Sequence, residues 1–291
     1  MSKKVQMNLF CILTILFWAI AFPLSKVALQ YFSTNSLGFL RVCIASVALL
    51  IINKLNGGGV PKKKDLGWFL LSGACGFGIY LFTFNRGMLT LTSASSSIVI
   101  AITPVLTAVA AHYLYGERIN VIGWTTLITA FIGVAIMMLW DGVLSINPGI
   151  FWTLGAAVVF CAYNILNRKL SKMGYKATEI VTYSMISSIL VLSPFSVQGI
   201  RELSNVSPYY LAVLFTMGIL SSALAYFFWS KALSMTENTS DVTNYGFLTP
   251  FVATLMGSLI LSEVPSLGTV IGGSVIIVSI VIFSKKGKAK S

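Results

Sequence analysis

Long apolar runs separated by short polar joints fill nearly the whole chain. Lipid offers the backbone no hydrogen-bond partners, so an apolar run of about 20 residues is stable there only as a helix. The pattern predicts about ten such helices, at 7–30, 35–53, 66–86, 92–115, 120–139, 149–168, 178–197, 208–230, 240–262 and 266–284. The polar stretches around Asn53–Asp65 and Gln198–Pro208 read as loops. The opening residues, Met1–Gln6, do not make a signal peptide, and the run from Met7 is long enough to remain a span. The expected class is all-α integral membrane.

The runs also repeat. Phe17-Trp18-Ala19 aligns with Phe160-Cys161-Ala162, and Lys26 then falls on Lys169. Arg86-Gly87 aligns with Lys231-Ala232, Thr103-Pro104 with Thr249-Pro250, and Glu117 with Glu263. Each unit holds five spans, over 7–139 and 149–284. Five is odd, so the second unit enters the membrane upside down. Inverted five-helix repeats of this kind can rock about a central site and open it to either side in turn.

Composition agrees with the pattern: 56% of the 291 residues are hydrophobic and 10% charged, against roughly 25% charged in soluble domains. The net charge of +12 does not imply nucleic acid, because the basic residues gather on one side of the spans. That side holds Lys3, Lys4, Lys54, Lys62–Lys64, Arg118, Arg168, Lys169, Lys172, Lys176, Lys231 and the lysines after 284. The other side holds Arg86 and Arg201, with Lys26 and Arg41 inside spans nearby. Positive residues mark the cytoplasmic face, so both termini are expected inside and the host is expected to be the cell membrane. The four cysteines lie in apolar spans without CxxC or a Cys/His cluster, so no metal or cofactor is expected.

Several motifs resemble the EamA family of the drug/metabolite transporter superfamily. The stretch Leu16–Pro23 (LFWAIAFP) with Lys26 is similar to the family's first-helix signature, as is Arg41 in the second span. Thr92-Ser93-Ala94-Ser95, then Thr103-Pro104 and Gly116-Glu117, resemble its fourth helix. Tyr163 and Asn167-Arg168-Lys169-Leu170 resemble the end of its sixth, and Pro250 with Ser262-Glu263 repeats the fourth-helix pattern. The resemblance implies ten helices, two inverted halves, a central cavity and export of amino acids or other small metabolites.

Polar content separates the spans. Those at 120–139 and 266–284 lack ionisable residues and read as outer helices, with Gly268 and Gly272 at GxxxG spacing. The fourth span carries a small-residue stripe through Ser93, Ser97, Ala101 and Pro104, with Ser96 and Thr103 beside it. The ninth echoes it with Thr243, Thr249 and Pro250. Both prolines weaken the helix ladder. Close packing and cavity lining are both open for these faces. Further cavity candidates are Trp18, Phe22, Tyr80, Asn85, Tyr163, Asn164, Asn167, Tyr226, Asn244 and Tyr245, because intramembrane amides must face protein or water. Trp229 fits either a cavity wall or an interfacial anchor. Lys26, Arg41 and Arg86 either snorkel or form a positive rim that attracts carboxylates. Glu117 and Glu263 read as helix-end contacts.

Catalysis finds no support: HExxH, a P-loop and a GxSxG with a partner histidine are all missing. No acid precedes Asp65, which argues against cation/proton exchange of the small multidrug-resistance type. The reading is an exporter of amino acids or related small metabolites, with a small-molecule substrate and the bilayer as partners. A multidrug or cation exporter and a non-transporting membrane scaffold are the alternatives.

Overall fold

The protein was analysed as a computed structural model that describes residues 2–115, 119–140, 147–235, 242 and 244–286, with side chains at 134, 137–139, 244, 247 and 284 left aside. The spans are α1 (Lys3–Ala28), α2 (Thr34–Leu55), α3 (Lys63–Met88), α4 (Ser93–Tyr115), α5 (Val121–Leu139), α6 (Pro148–Lys172), α7 (Ala177–Ser204), α8 (Pro208–Ser234), α9 (Thr249–Leu261) and α10 (Leu267–Lys286). Seven of these are long and apolar enough to span a membrane, and the described parts of α5, α9 and α10 are shorter apolar helices. Side-chain oxygens cap many starts: Ser33 accepts from Ser36 N, Thr92 from Ser95 N and Asn120 from Gly123 N. Large apolar side chains such as Val47, Ile51, Ile128, Phe151 and Leu259 point outward, as a lipid-facing surface requires. The protein is a multi-pass, all-α membrane protein of two inverted five-helix repeats.

The repeat is visible in local distortions. A π-helical segment interrupts α3 at Ala74–Gly78, and another interrupts α8 at Met217–Leu224, the equivalent helix of the second half. Such segments cost regular hydrogen bonds and cluster at functional sites. The fourth helix of each half is also broken before its proline. α4 divides into Ser93–Ile100 and Thr103–Tyr115, and a 3-10 turn, Asn244–Leu248, precedes α9. Pro104 has no N–H for the Ile100 carbonyl, and the Thr103 hydroxyl donates to that carbonyl at 2.7 Å instead. The freed carbonyl is therefore satisfied locally and is not offered to the cavity.

Two sequence expectations about element ends are corrected. Gln198–Pro208 is not a loop throughout, because Ser196–Ser204 continues α7 as an amphipathic helix through a 3-10 turn at Ser193–Phe195. The expected ninth span is not one continuous α-helix, because a 3-10 turn at Asn244–Leu248 precedes the α-helix that starts at Thr249; 236–241 and 243 lie outside the described residues.

Packing crosses the repeat boundary. α1 packs on α8 and α9 of the second half, and α6 packs on α3 and α4 of the first. α2 meets α7, α4 meets α9, and α5 meets α10 along their lengths. The helices thus group as α1/α8/α9 and α3/α4/α6, two bundles that each mix both halves. α5 and α10 form a supporting pair, where a Cβ on Gly133 would lie 2.8 Å from the Gly272 carbonyl oxygen.

Loops at the two ends stitch the halves. At the end bearing the termini, Lys176 Nζ donates to Gly57 O at 2.7 Å and Gly59 N donates to Glu179 at 2.6 Å. Tyr175 there donates to Asp65 at 2.6 Å, and this bond holds its phenol above the usual tyrosine range. At the opposite end, the Tyr31 hydroxyl donates to Glu202 O at 2.8 Å, and Ser33 N and the Ser36 hydroxyl donate to the Glu202 carboxylate.

Candidate functional site

A narrow central cavity lies between the two bundles. α1 supplies Trp18 and Phe22, α2 supplies Arg41, α3 supplies Tyr80 and Phe84, and α4 supplies Thr103 and Pro104. Asn164 comes from α6, Ser221, Tyr226 and Trp229 from α8, and Gly246 and Thr249 from the turn and start of α9. The wall is largely aromatic. The Trp18 ring lies 4.8 Å from Trp229 and 5.1 Å from Tyr226, centroid to centroid.

Arg41 is the single charged residue among the described residues of this wall. It is only 3% exposed. Its Nε and Nη2 donate to the Ser222 hydroxyl at 3.3 and 3.1 Å, within the π-helical part of α8. Its Nη1 is buried with no partner, and it makes no ion pair within 4.0 Å among the described residues. A buried guanidinium with no acid among the described residues of its wall is costly unless water or a ligand completes its hydrogen bonds. Two other wall donors share its condition: the indole N–H groups of Trp18 and Trp229 are buried and unpartnered. The buried Asn164 Oδ1 and Ser221 hydroxyl also lack partners.

Eleven of the residues singled out from the sequence meet at this wall: Trp18, Phe22, Arg41, Tyr80, Ala101, Thr103, Pro104, Asn164, Tyr226, Trp229 and Thr249. Others do not line it. Tyr163 is fully buried behind the wall, stacked on Phe160, and its hydroxyl accepts from Asn167 Nδ2 at 3.2 Å. Asn85 Nδ2 donates to Thr34 O at 2.9 Å and ties α3 to the start of α2. Ser96 and Ser97 are fully buried in helix packing, and the Ser97 hydroxyl turns back to Ala94 O at 2.8 Å. Tyr245 packs against the Cys11–Trp229 cluster, and Pro250 faces a groove toward α10. Thr243 and the side chain of Asn244 lie outside the described residues. Sequence reasoning did not single out Ser221 and Ser222, which are ordinary small residues until the π-helical turn aims them inward.

The two ends of the cavity differ. Toward the termini, a groove lined by Asn167, Arg168, Ser171, Lys172, Ser230 and Ser234 shares Asn164 with the cavity. Toward the other end, Phe22 and Phe84 close the space at 5.3 Å in an edge-to-face contact, with Met88 and Ala253 packed beside them. Above this plug, Lys26 Nζ pairs with Glu263 at 2.9 Å. Glu263 Oε2 also accepts from Ser93 N, at the first turn of α4, at 2.8 Å. Lys26 therefore neither snorkels freely nor forms a free rim. Arg86 sits over the Phe82 ring at 5.4 Å.

Comparison with known proteins agrees with this architecture. The chain is 27% identical over 275 residues to a protein of Streptantibioticus cattleyicolor named a probable terminal-alkyne amino-acid exporter, covering 94% of this chain and 92% of that one. It is 27% identical over 217 residues to an S-adenosylmethionine uptake transporter of Rickettsia prowazekii, covering 74% and 71%. A solved crystal structure, 16% identical, aligns over 95% of both chains with a TM-score of 0.67, a likeness of fold alone. The profile of the EamA-like transporter family matches residues 6–139 and 147–285. With ten inverted-repeat helices around a central cavity and that profile along nearly its whole length, this chain belongs to the EamA-like transporter family, whose members are membrane transporters rather than enzymes.

Proposed function

We propose that the central cavity is the substrate site of an exporter of amino acids or related small carboxylates, worked by alternating access between the two bundles. The observation that carries this reading is Arg41, a buried guanidinium with one unpartnered nitrogen and the single charge among the described residues of this wall. A planar guanidinium receives a carboxylate through two parallel hydrogen bonds. The aromatic wall covers an apolar body, the usual division of labour in a small-molecule site. The exporter of S. cattleyicolor, named for an amino-acid substrate, supports the same class. A cationic drug would meet Arg41 as a like charge, which disfavours the multidrug alternative.

The test is counterflow in proteoliposomes with a pooled panel of amino acids and small metabolites. Arg41→Gln is expected to reduce transport of a carboxylate substrate about 30-fold or more, and of its amide analogue far less. Equal loss of both would assign Arg41 a structural role.

The proposed setting is the cytoplasmic membrane with both termini inside, on the strength of the basic-residue bias. Cysteine labelling is expected to find Gly58, half-buried in the α2–α3 loop, on the cytoplasmic side and Asn205, in the exposed α7–α8 joint, outside. Gly58 labelled only from outside would reverse this orientation.

A further inference from the structure

We infer that the cavity selects net-anionic cargo, an apolar or aromatic carboxylate whose second polar group is an acceptor, such as a 2-oxo acid, over the corresponding zwitterionic amino acid. The inference rests on the cavity being the substrate site. Two observations carry it. First, the described wall holds one positive charge, Arg41, and no Asp, Glu or His. A bound monoanion makes this enclosure neutral, a zwitterion leaves it at one positive charge, and a cation raises it to two. Charge uncompensated in a low-dielectric enclosure is penalised, so the expected order is monoanion, zwitterion, cation.

Second, the unpaired hydrogen-bonding groups are unbalanced. Arg41 Nη1 and the indole nitrogens of Trp18 and Trp229 are buried donors without partners. Asn164 Oδ1 is the single unpaired buried atom of this wall that can only accept, and Ser221 Oγ can do either. An ammonium brings three donors to a site already rich in donors. A 2-oxo acid brings a carboxylate for Arg41 and a carbonyl oxygen for an indole N–H. A site built around one polar pattern rejects an analogue that leaves its groups unpaired.

The same balance bears on the driving force. With no acid in the described wall to carry a proton, the translocated charge is the cargo's own. Outward movement of a monoanion is then favoured by an inside-negative potential, whereas movement of a zwitterion does not respond to it.

The test uses the purified full-length protein in proteoliposomes, with the potential set by a potassium gradient and valinomycin. Phenylpyruvate and phenylalanine are the probes, matched in skeleton and different in the 2-position group. Initial efflux of phenylpyruvate is expected to be about tenfold faster and to rise with an inside-negative potential, while phenylalanine efflux stays insensitive. Phenylalanine moving as fast as phenylpyruvate or faster, or phenylpyruvate flux indifferent to potential, overturns the inference and leaves the carboxylate-exporter reading standing. Movement of neither probe or any member of the metabolite panel overturns both. Arg41→Gln removes the positive charge and is expected to turn the preference toward phenylalanine, though both rates fall. Arg41→Lys keeps the charge and is expected to keep the phenylpyruvate preference. A Gln variant with the wild-type preference, or a Lys variant without it, counts against the inference.

Discussion

Gly246→Trp is expected to abolish transport while leaving the protein folded and inserted. Gly246 lines the central cavity, and among the described residues a Cβ built there meets only Pro104 Cγ, at 3.9 Å, an ordinary van der Waals contact. Its backbone has no positive φ, so any L-residue fits the local conformation. A Cβ there meets no backbone, and the atoms beyond it enter the cavity that Gly246 lines. An indole is among the largest bodies a protein can place there, and it would occupy the aromatic enclosure between Trp18, Tyr80 and Tyr226. Transport in proteoliposomes is expected to fall about 100-fold or to background, by analogy with the loss of a required near-contact geometry. Gly246→Ala, with its methyl in the same space, is expected to transport normally. The check on folding is expression and unfolding temperature in detergent, which should stay near wild type. Normal transport by the Trp variant would move the substrate path away from this cavity.

Ser97→Trp makes the contrast. From the sequence, Ser97 belongs to a small-residue stripe with either cavity lining or packing as its role. It is 0% exposed and does not reach the cavity. A large side chain there overpacks a helix interface and is expected to lower yield and stability rather than to plug a folded carrier. The check is the fraction of monodisperse protein recovered.

The architecture was legible because lipid enforces a simple rule: apolar runs near bilayer length are helices. The repeat was legible because Lys26 and Lys169, and Pro104 and Pro250, keep their order with little drift. The swapped bundles were not legible. Sequence order groups α1 with α3 and α4, yet α1 packs on α8 and α9. Small-residue spacing does not say which helix will fill a groove. The cavity was partly legible. Trp18, Arg41 and Asn164 stand out because polar or amphipathic groups deep in apolar spans need a reason to be there. The same rule put Asn85 and Tyr163 in the cavity, where the structure instead pairs them with Thr34 and Asn167. An intramembrane polar group needs a partner, and the sequence does not distinguish a protein partner from a ligand. Ser222 was missed for the opposite reason, since its role depends on a π-helical turn that single-residue chemistry does not announce.

Glu263→Gln is expected to open the end of the cavity opposite the termini. Glu263 follows α9, in one bundle, and accepts from Ser93 N at the first turn of α4, in the other. Lys26, on the same bundle as Glu263, pairs with the carboxylate at 2.9 Å and holds it in place. A carboxylate at a helix start is stabilised by the free N–H groups and the positive end of the helix dipole, by up to about 2 kcal/mol when partly buried. Glutamine keeps the shape and loses the charge, which removes most of that attraction and leaves Lys26 unpaired. A loss of about 1.4 kcal/mol changes the ratio of closed to open forms about tenfold. The measurement is the labelling rate of a cysteine placed at Ala253, beside the Phe22–Phe84 closure, by an impermeant thiol reagent. The background must have the native thiols replaced, because four are present. Labelling about tenfold faster in Glu263→Gln is the expected result. Lys26→Gln should show a smaller rise, because the contact with Ser93 survives. Gly257→Val should mimic Glu263→Gln, because its Cβ would lie 2.9 Å from Glu263 Oε2 and 3.0 Å from Ser93 Cβ, forcing the two bundles apart. Unchanged labelling in both Glu263→Gln and Gly257→Val, in proteins that remain folded, would mean that the aromatic plug alone keeps this end shut and that the ion pair only fastens α1 to α9.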